Sequence, residues 1–182
     1  GTLKTPADSA YTLTVRDNDE RIISLQRSLV TVGEAAGTYT VTAVASPPFT
    51  EPTTIPVSFG GSAVSTSVGR DYSVGSPGAF VFGANQTTAS LSLTIVDDFT
   101  GERAEDITVT LLDDSTSYKL GSIAQTFITI DDNDTSLLSF TTSSSQPWEN
   151  AGNQTVSVSL TRALSEPITI PLVLTTGTGF AT

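Results

Sequence analysis

Apolar and polar residues alternate along most of this chain with a period of two. The alternation is clearest in residues 38–45, 90–95 and 106–112, where every second side chain is apolar and many of the others are threonine or serine. Such a pattern lets a strand bury one face and expose the other. Threonine suits the exposed face because it is both β-branched and polar. Stretches of helical composition are absent, and we therefore predict an all-β protein.

Turn-forming residues divide these stretches into short strands. The predicted strands cover residues 11–16, 21–26, 29–33, 38–46, 53–60, 79–83, 89–97, 105–112, 123–131, 137–141, 144–148, 153–161 and 168–175. Seven or eight short strands in about 115 residues are typical of an antiparallel β-sandwich. Pro56 lies inside one predicted strand and cannot donate a ladder hydrogen bond. We expect that strand to be a sheet edge, or its proline to point the missing donor outward.

The chain is a tandem repeat with an offset of 115 residues. Glu34 aligns with Glu149, Pro56 aligns with Pro171, and no gap is needed from residue 12 to residue 67. We expect residues 1–19 to contain the last strand of a preceding repeat. Residues 20–134 would form a complete repeat, and residues 135–182 would form the first strands of a following repeat. This arrangement predicts that the chain is an excerpt from a longer array of repeats. The alternative is a polymer in which chain ends complement neighbouring chains by strand addition.

The composition is strongly acidic. Nineteen Asp and Glu residues face eight Lys and Arg residues, which gives a formal net charge of −11. Nucleic acids and anionic membranes need a basic surface, so we expect neither as a partner; the acidity favours cations. No apolar run approaches the roughly 20 residues of a membrane helix, so we expect no direct membrane insertion. The chain has no cysteine and no histidine, which excludes a disulfide framework, a thiolate metal site and a Ser-His-Asp triad.

Acidic residues gather where predicted strands end. In the complete repeat they are Glu34, Asp71, Asp97, Asp98, Glu102, Glu105, Asp132 and Asp134, with Asn133 among them. Several strand ends can share one end of a sandwich, where bare carboxylates would repel one another. A hard cation such as Ca²⁺ removes that repulsion because it takes six to eight oxygen ligands in flexible geometry. A carboxylate-pair hydrolase is conceivable, but acids that recur at the repeat boundary favour metal binding, and we predict no enzymatic activity and no catalytic residues.

The order and spacing of these motifs resemble those of the Calx-β domain. The matching features are Glu34, Gly-x-Asp-Tyr at 69–72, Phe80-x-Phe82-x3-Gln86, Asp97-Asp98-x3-Glu102-x2-Glu105 and Thr-Ile-Asp-Asp-Asn-Asp at 129–134. The resemblance covers residues 20–134 fully and both flanks in part, and the Asp-Asp-x3-Glu-x2-Glu spacing is its most specific element. It implies an immunoglobulin-like sandwich that binds several Ca²⁺ ions at one tip. No EF-hand is implied, because the acidic clusters lack that loop's glycine and closing glutamate.

The resemblance also implies which residues bind the metal. Carried over to this chain, the ligands are Glu34, Asp71, Asp97, Asp98, Glu102, Glu105, Asp132 and Asp134. Asn133 stands where calcium-sensing members tend to have a third aspartate, which implies a weaker or missing site, although its amide oxygen is a candidate neutral ligand. Arg70 is a candidate competing counter-ion for its neighbour Asp71. Asp17 and Asp19 would belong to the preceding repeat's site and Glu149 to the following one, and we expect neither flank to bind calcium well alone.

These observations lead to one preferred function and two alternatives. We expect a calcium-binding structural module of an extracellular, bacterial surface protein or adhesin, in which Ca²⁺ stiffens the junctions between repeats. Its partners would be neighbouring repeats of the same chain or fibre, and other surface proteins or glycans. One alternative is a cytosolic calcium-sensing regulatory domain, as in sodium–calcium exchangers. The other is a filament subunit assembled by strand complementation between chains.

Overall fold

Two β-sheets share one apolar core within residues 20–134. The computed structural model describes residues 11–15, 20–66, 69–113 and 117–175. Its strands are β1 (Ile22–Leu25), β2 (Leu29–Gly33), β3 (Thr38–Ser46), β4 (Thr53–Ile55), β5 (Val57–Gly61), β6 (Tyr72–Val74), β7 (Phe80–Phe82), β8 (Thr88–Ile95), β9 (Glu105–Leu111), β10 (Lys119–Leu120), β11 (Gln125–Asp131), β12 (Leu138–Phe140) and β13 (Val158–Leu160). A 3-10 helix, Glu34–Ala36, connects β2 to β3. No helix in these ranges is long and apolar enough to cross a membrane.

The predicted all-β sandwich is confirmed. One sheet has the strand order β10-β1-β3-β8-β6, and the other has the order β2-β11-β9-β5. Along β8 every residue alternates between exposed and buried, as the period of two predicts. The inward-facing side chains of both sheets join in one apolar cluster, which includes the fully buried Leu93 of β8 and Ile107 of β9. The buried members of this cluster lie between Ile23 and Ile130.

The chain changes sheets between β1 and β2, although only the residues 26–28 separate these strands. β1 pairs antiparallel with β3 and parallel with β10. β2 pairs parallel with β11 in the other sheet, with Gly33 opposite Asp131. Because β2 and β11 run side by side in one direction, the acids that follow them leave the sheet at the same end.

Pro56 marks a second change of sheet within the predicted strand 53–60. The residues before it form β4, which pairs with β7, and the residues after it form β5, which pairs with β9. The Pro56 carbonyl accepts a hydrogen bond of 3.1 Å from the backbone N–H of Leu112. β5 lies at the edge of its sheet, as expected for a strand that a proline precedes.

The following segment, residues 135–175, reproduces the first strand pair of the complete repeat. β12 pairs with β13 with Leu138 opposite Leu160, which is the register of Ile23 and Ala45 in β1 and β3 shifted by 115 residues. Ile23 is completely buried, whereas Leu138 is 42% exposed. The alignment of repeats therefore extends to strand pairing, but in the described residues no second sheet covers this pair.

Several predicted strands are wrong. Residues 11–15, 144–148 and 168–175 are not in strands, and the described sheets give them no partner. Conversely, β6 and β10 were not predicted, because two or three residues are too few to display a period of two. Asp17 and Asp19 lie outside the described residues.

The location of the core can be tested with equivalent positions of the two repeats. Ile23→Ala should lower the free energy of unfolding by about 2–5 kcal/mol, because it removes a fully buried side chain. Leu138→Ala should lower it by no more than about 1 kcal/mol, because much of that side chain already contacts water. Urea unfolding followed by circular dichroism measures both, and equal losses would contradict the position of the core.

Candidate metal centre

Strand direction brings the acidic residues to one end of the sandwich, here called the tip. β2 and β11 both end there, since Gly33 is opposite Asp131. β9 begins there, since Glu105 pairs with Ile130 of β11 in antiparallel register. In the other sheet β8 ends and β3 and β6 begin at this same end. The loops and strand ends at the tip carry the acids Glu34, Asp71, Asp97, Asp98, Glu102, Glu105, Asp132 and Asp134.

Three carboxylates form the centre of the tip. Oxygen atoms of Glu34, Asp132 and Asp134 lie within 4.8 Å of one another. Glu34 is buried in the 3-10 helix after β2, and the positive φ of 69° at Gly37 lets the chain turn from this helix into β3. The backbone N–H of Asp98 donates to Glu34 Oε1 over 3.2 Å. This spacing is close enough for one ion to contact all three side chains.

Backbone donors fix the orientation of Asp132. Its Oδ1 accepts a hydrogen bond of 2.9 Å from the N–H of Asp134, and its Oδ2 accepts one of 2.9 Å from the N–H of Glu102. The second bond ties the loop after β8 to the end of β11. The carboxylate is therefore oriented before any ligand arrives, which reduces the ordering that binding requires.

A second group of acids, Asp71, Glu102 and Glu105, lies beside the first. These residues line a cavity of about 10 Å³ together with Glu34 and Asp132. That volume corresponds to roughly one water-sized sphere. The backbone N–H of Val64 donates to Asp71 Oδ2 over 2.5 Å, which holds this side chain at the cavity.

Burial and mutual repulsion raise the pKa values of the glutamates at the tip. Burial raises the pKa of Glu34, and the charges of Asp98 and Asp132 add to that rise, while the N–H of Asp98 partly offsets it. Burial, followed by the charges of Asp71, Asp98 and Asp132, raises the pKa of Glu102. Burial, a hydrogen bond with Asp71 and the charges of Asp71 and Glu102 raise the pKa of Glu105 to about 7. The tip thus resists full ionisation when no cation is bound.

The donor atoms of the tip fit a hard divalent cation. Glu34 Oε2, Glu105 Oε2 and Asp134 Oδ2 are buried and accept no hydrogen bond. Buried polar atoms are normally hydrogen-bonded, so three unpaired carboxylate oxygens at one end of a fold indicate a missing positive partner. The side-chain donors are all oxygen, and carboxylate oxygens are the ligands that Ca²⁺ prefers.

The remaining predicted ligands differ in their positions. Asp98 is half-buried beside Glu34, and its Oδ1 accepts a hydrogen bond of 2.6 Å from the N–H of Thr100. Asp97 is exposed at the rim, where its Oδ1 accepts a bond of 3.1 Å from Asn133 Nδ2. Asn133 thus presents its amide N–H₂, and not its oxygen, to the neighbouring acid.

Glu149 and Arg70, two further residues considered from the sequence, form no ion pair with the tip in the described residues. Glu149 is exposed in a turn of the following segment, and no hydrogen bond or ion pair in the described ranges joins it to the tip. Arg70 forms no ion pair within the part of the chain that the structure describes.

Sequence reasoning missed the residues of the following segment that reach the tip. The guanidinium of Arg162 pairs with Asp134 Oδ1 and lies 5.2 Å from the ring centroid of Phe99. The N–H of Gly101 donates to the carbonyl of Ala163 over 2.9 Å. Arg162 aligns with Pro47 of the complete repeat, so the repeat alignment held no signal for a basic residue here.

Together, the sandwich and its oxygen-rich tip define a calcium-binding type of β-domain. The chain belongs to the Calx-beta domain family, which matches residues 16–134 and 131–182. Calx-beta domains bind Ca²⁺, and the carboxylate cluster of this chain is a suitable site for it. The resemblance inferred from the sequence is thereby confirmed.

Solved structures of similar fold carry the same family name. The crystal structure of the apo form of the Calx CBD1 domain is 22% identical over 64% of this chain and 100% of that chain, with a TM-score of 0.50. The crystal structure of CBD12 from CALX1.2 is 21% identical over 62% of this chain and 46% of that chain, with a TM-score of 0.51. At these identities the likeness supports the fold. A comparison with curated protein sequences gave no match.

The raised pKa of Glu105 predicts a pH-dependent stability of the metal-free protein. Its pKa is about 7 in the folded chain against an ordinary value of 4.5, so between these values the folded state binds more protons than the unfolded state. The free energy of unfolding in EDTA should therefore fall as the pH rises from about 4.5 to about 7. Glu34 and Glu102 act in the same direction.

Urea unfolding in EDTA at a series of pH values measures this slope. Glu105→Gln should flatten it, because glutamine cannot ionise. Glu51→Gln, which changes an exposed acid after β3 at the opposite end of the sandwich, should leave the slope unchanged. A wild-type slope in Glu105→Gln would contradict the assignment of this pH dependence to Glu105.

Proposed function

We propose that this protein is a calcium-binding structural module of an extracellular, repetitive surface protein or adhesin of a bacterium, and that Ca²⁺ stiffens the junctions between its repeats. The observation that carries the proposal is the position of Asp134. This residue belongs to the carboxylate centre, its Oδ2 is buried without a partner, and Arg162 of the following segment contacts its Oδ1. A cation at the tip would therefore act at the place where one repeat meets the next.

The chain between the repeats is too short to act as a flexible linker. Ser136, two residues after Asp134, already donates its hydroxyl to the carbonyl of Arg162 over 2.9 Å. Leu137 and Thr161 are joined by two further hydrogen bonds, of 2.9 and 3.0 Å. Any change in the orientation of Asp134 would thus be passed directly to the following segment. Its carboxylate, together with Glu34 and Asp132, would hold the ion, whose double positive charge would offset their repulsion.

Composition and calcium availability support a place outside the cell. The chain is rich in serine and threonine, carries a net charge of −11 and repeats its pattern in direct tandem, as expected for an exposed array. Extracellular calcium modules can be weak, with dissociation constants of about 10⁻⁴–10⁻³ M, because the ion is abundant there. Neighbouring repeats are the proposed partners, and other surface proteins or glycans would be contacted by the array as a whole.

A cytosolic calcium sensor is the second candidate. Several of the similar solved structures are domains of Calx, and one of them is described as the calcium binding domain CBD12 of CALX1.1. A sensor needs micromolar affinity, about 10⁻⁷–10⁻⁵ M, whereas the proposed module does not. The affinity for Ca²⁺ therefore discriminates between the two candidates.

Calcium should raise the melting temperature of the full chain, and magnesium should do so much less. The physical reason is that Ca²⁺ binds the folded tip and not the unfolded chain. An ion at 100 times its dissociation constant adds roughly 2.7 kcal/mol per site. Thermal unfolding in EDTA, in CaCl₂ and in MgCl₂ measures the effect. A midpoint near 10⁻⁴–10⁻³ M would support the extracellular module, and a micromolar midpoint would support the sensor.

Two neighbouring aspartates provide the matched variants. Asp132→Asn removes a carboxylate from the centre and should abolish most of the calcium-dependent rise. Asp131→Asn changes the exposed residue next to it and should retain the rise. An unchanged melting curve of the unsubstituted chain in CaCl₂ would refute the proposed function.

A further inference from the structure

The sheet with the order β2-β11-β9-β5 has an unprotected edge at β2. Because β2 stands at the end of this order, its second side has no strand partner among the described residues. Residues 28–33 read Ser-Leu-Val-Thr-Val-Gly and contain neither a charged residue nor a proline. Natural edge strands commonly carry such residues, which discourage pairing with another chain. β2 is therefore an open template for a further strand.

The other edges of the sandwich offer less. β5 begins directly after Pro56, and β10 and β6, the edges of the other sheet, have only two and three residues. β2 has five residues. Its Leu29 is 66% exposed, and Phe127, opposite it in β11, is 43% exposed. Among the described edges, β2 thus combines a useful length with exposed apolar side chains.

The hydrogen bonds to β11 determine which groups of β2 face outward from the sheet. Phe127 is opposite Leu29, and its N–H donates to the carbonyl of Ser28 over 3.0 Å. In this parallel ladder the residues on either side of Leu29 bond to β11. Since successive residues of a strand point their backbone groups to opposite sides, Leu29, Thr31 and Gly33 direct N–H and C=O away from the sheet. The same three residues are exposed on its outer face.

We propose that β2 pairs in antiparallel orientation with β2 of a second copy of this chain, with Thr31 opposite Thr31. In this register Leu29 of each copy is opposite Gly33 of the other. Each of the opposed pairs exchanges both of its N–H···O=C bonds, so every edge-facing group of the two strands finds a partner. The contact is isologous, and the two tips point in opposite directions. It goes beyond the proposed function and needs no calcium.

The side chains fit a second copy of the same strand. Threonine pairs directly opposite each other stabilise antiparallel strands, and Gly33, which has no side chain, leaves space for Leu29 of the other copy. Arg27 precedes the strand, is exposed and forms no ion pair in the described ranges. Antiparallel pairing brings Arg27 of each copy to the end of the other strand, where Glu34 begins the acidic tip. The charges at the two ends of the strand are thus complementary between copies.

A charge swap on the two-fold axis tests the register. Analytical ultracentrifugation of the full chain in EDTA, in about 0.15 M salt to screen the net charge of the copies, should show a dimer that increases with concentration. Thr31→Lys and Thr31→Glu should each lose most of this dimer, because like charges would lie directly opposite each other. An equimolar mixture of the two variants should restore it, because opposite charges then face each other.

Ser58 provides the matched control. It is exposed on β5, the other edge strand of the same sheet. Ser58→Lys and Ser58→Glu should each form as much dimer as the unsubstituted chain, and mixing them should change nothing. The restored dimer in the mixture of the Thr31 variants also shows that these variants are folded.

Amide hydrogen exchange gives a second readout at the level of single residues. A higher protein concentration should slow exchange at the N–H groups of Leu29, Thr31 and Gly33, and should have much less effect at Val30, whose N–H faces β11. A chain that stays monomeric up to millimolar concentration, or a dimer that Thr31→Lys leaves unchanged, would overturn this inference. Either result would leave the proposed function intact, because that proposal depends on the response to calcium.

Discussion

Repulsion among carboxylates gathered at one end of the sandwich is the constraint on which the rest of the tip depends. The strands bring them together because β2 and β11 end where β9 and β6 begin. The backbone then orients them, with the N–H groups of Glu102 and Asp134 both directed at Asp132. The protein partly neutralises the cluster with protons, as the pKa of about 7 for Glu105 indicates, and partly with Arg162. A bound Ca²⁺ would take the place of these protons and offset the repulsion among the carboxylates.

The sequence was sufficient to predict the long strands of the complete repeat, but not the short strands β6 and β10 or the assignment of strands to sheets. The alternation in β3, β8, β9 and β11 was easily recognised because each strand has at least seven residues with one face buried. The changes of sheet after β1 and at Pro56 follow from packing between distant strands, which a local pattern cannot record. In the following segment the pattern of residues predicted strands that did not form, since alternation alone does not provide partners for pairing.

The acids of the tip could be located from the sequence because metal sites need several carboxylates and these stand out at strand ends. The sequence did not show how the positions of these acids differ. Glu34 is buried and Asp97 is exposed, although both belong to the same motif set. The role of Gly101 in contacting the following segment could not be predicted, because it depends on a backbone hydrogen bond to Ala163 and not on the side chains of either residue.

The edge strand β5 has a consequence for how copies of this protein can pair with one another. An open sheet edge is a template for pairing with another chain. Here Pro56, which has no N–H, precedes the strand, and Gly61 ends it with a φ of 109° and its backbone close to Asp106. The missing N–H of Pro56 shortens the row of donors that a neighbouring sheet could join. β5 is therefore a weaker template for pairing with a second copy of the chain than an edge with a complete row of donors would be.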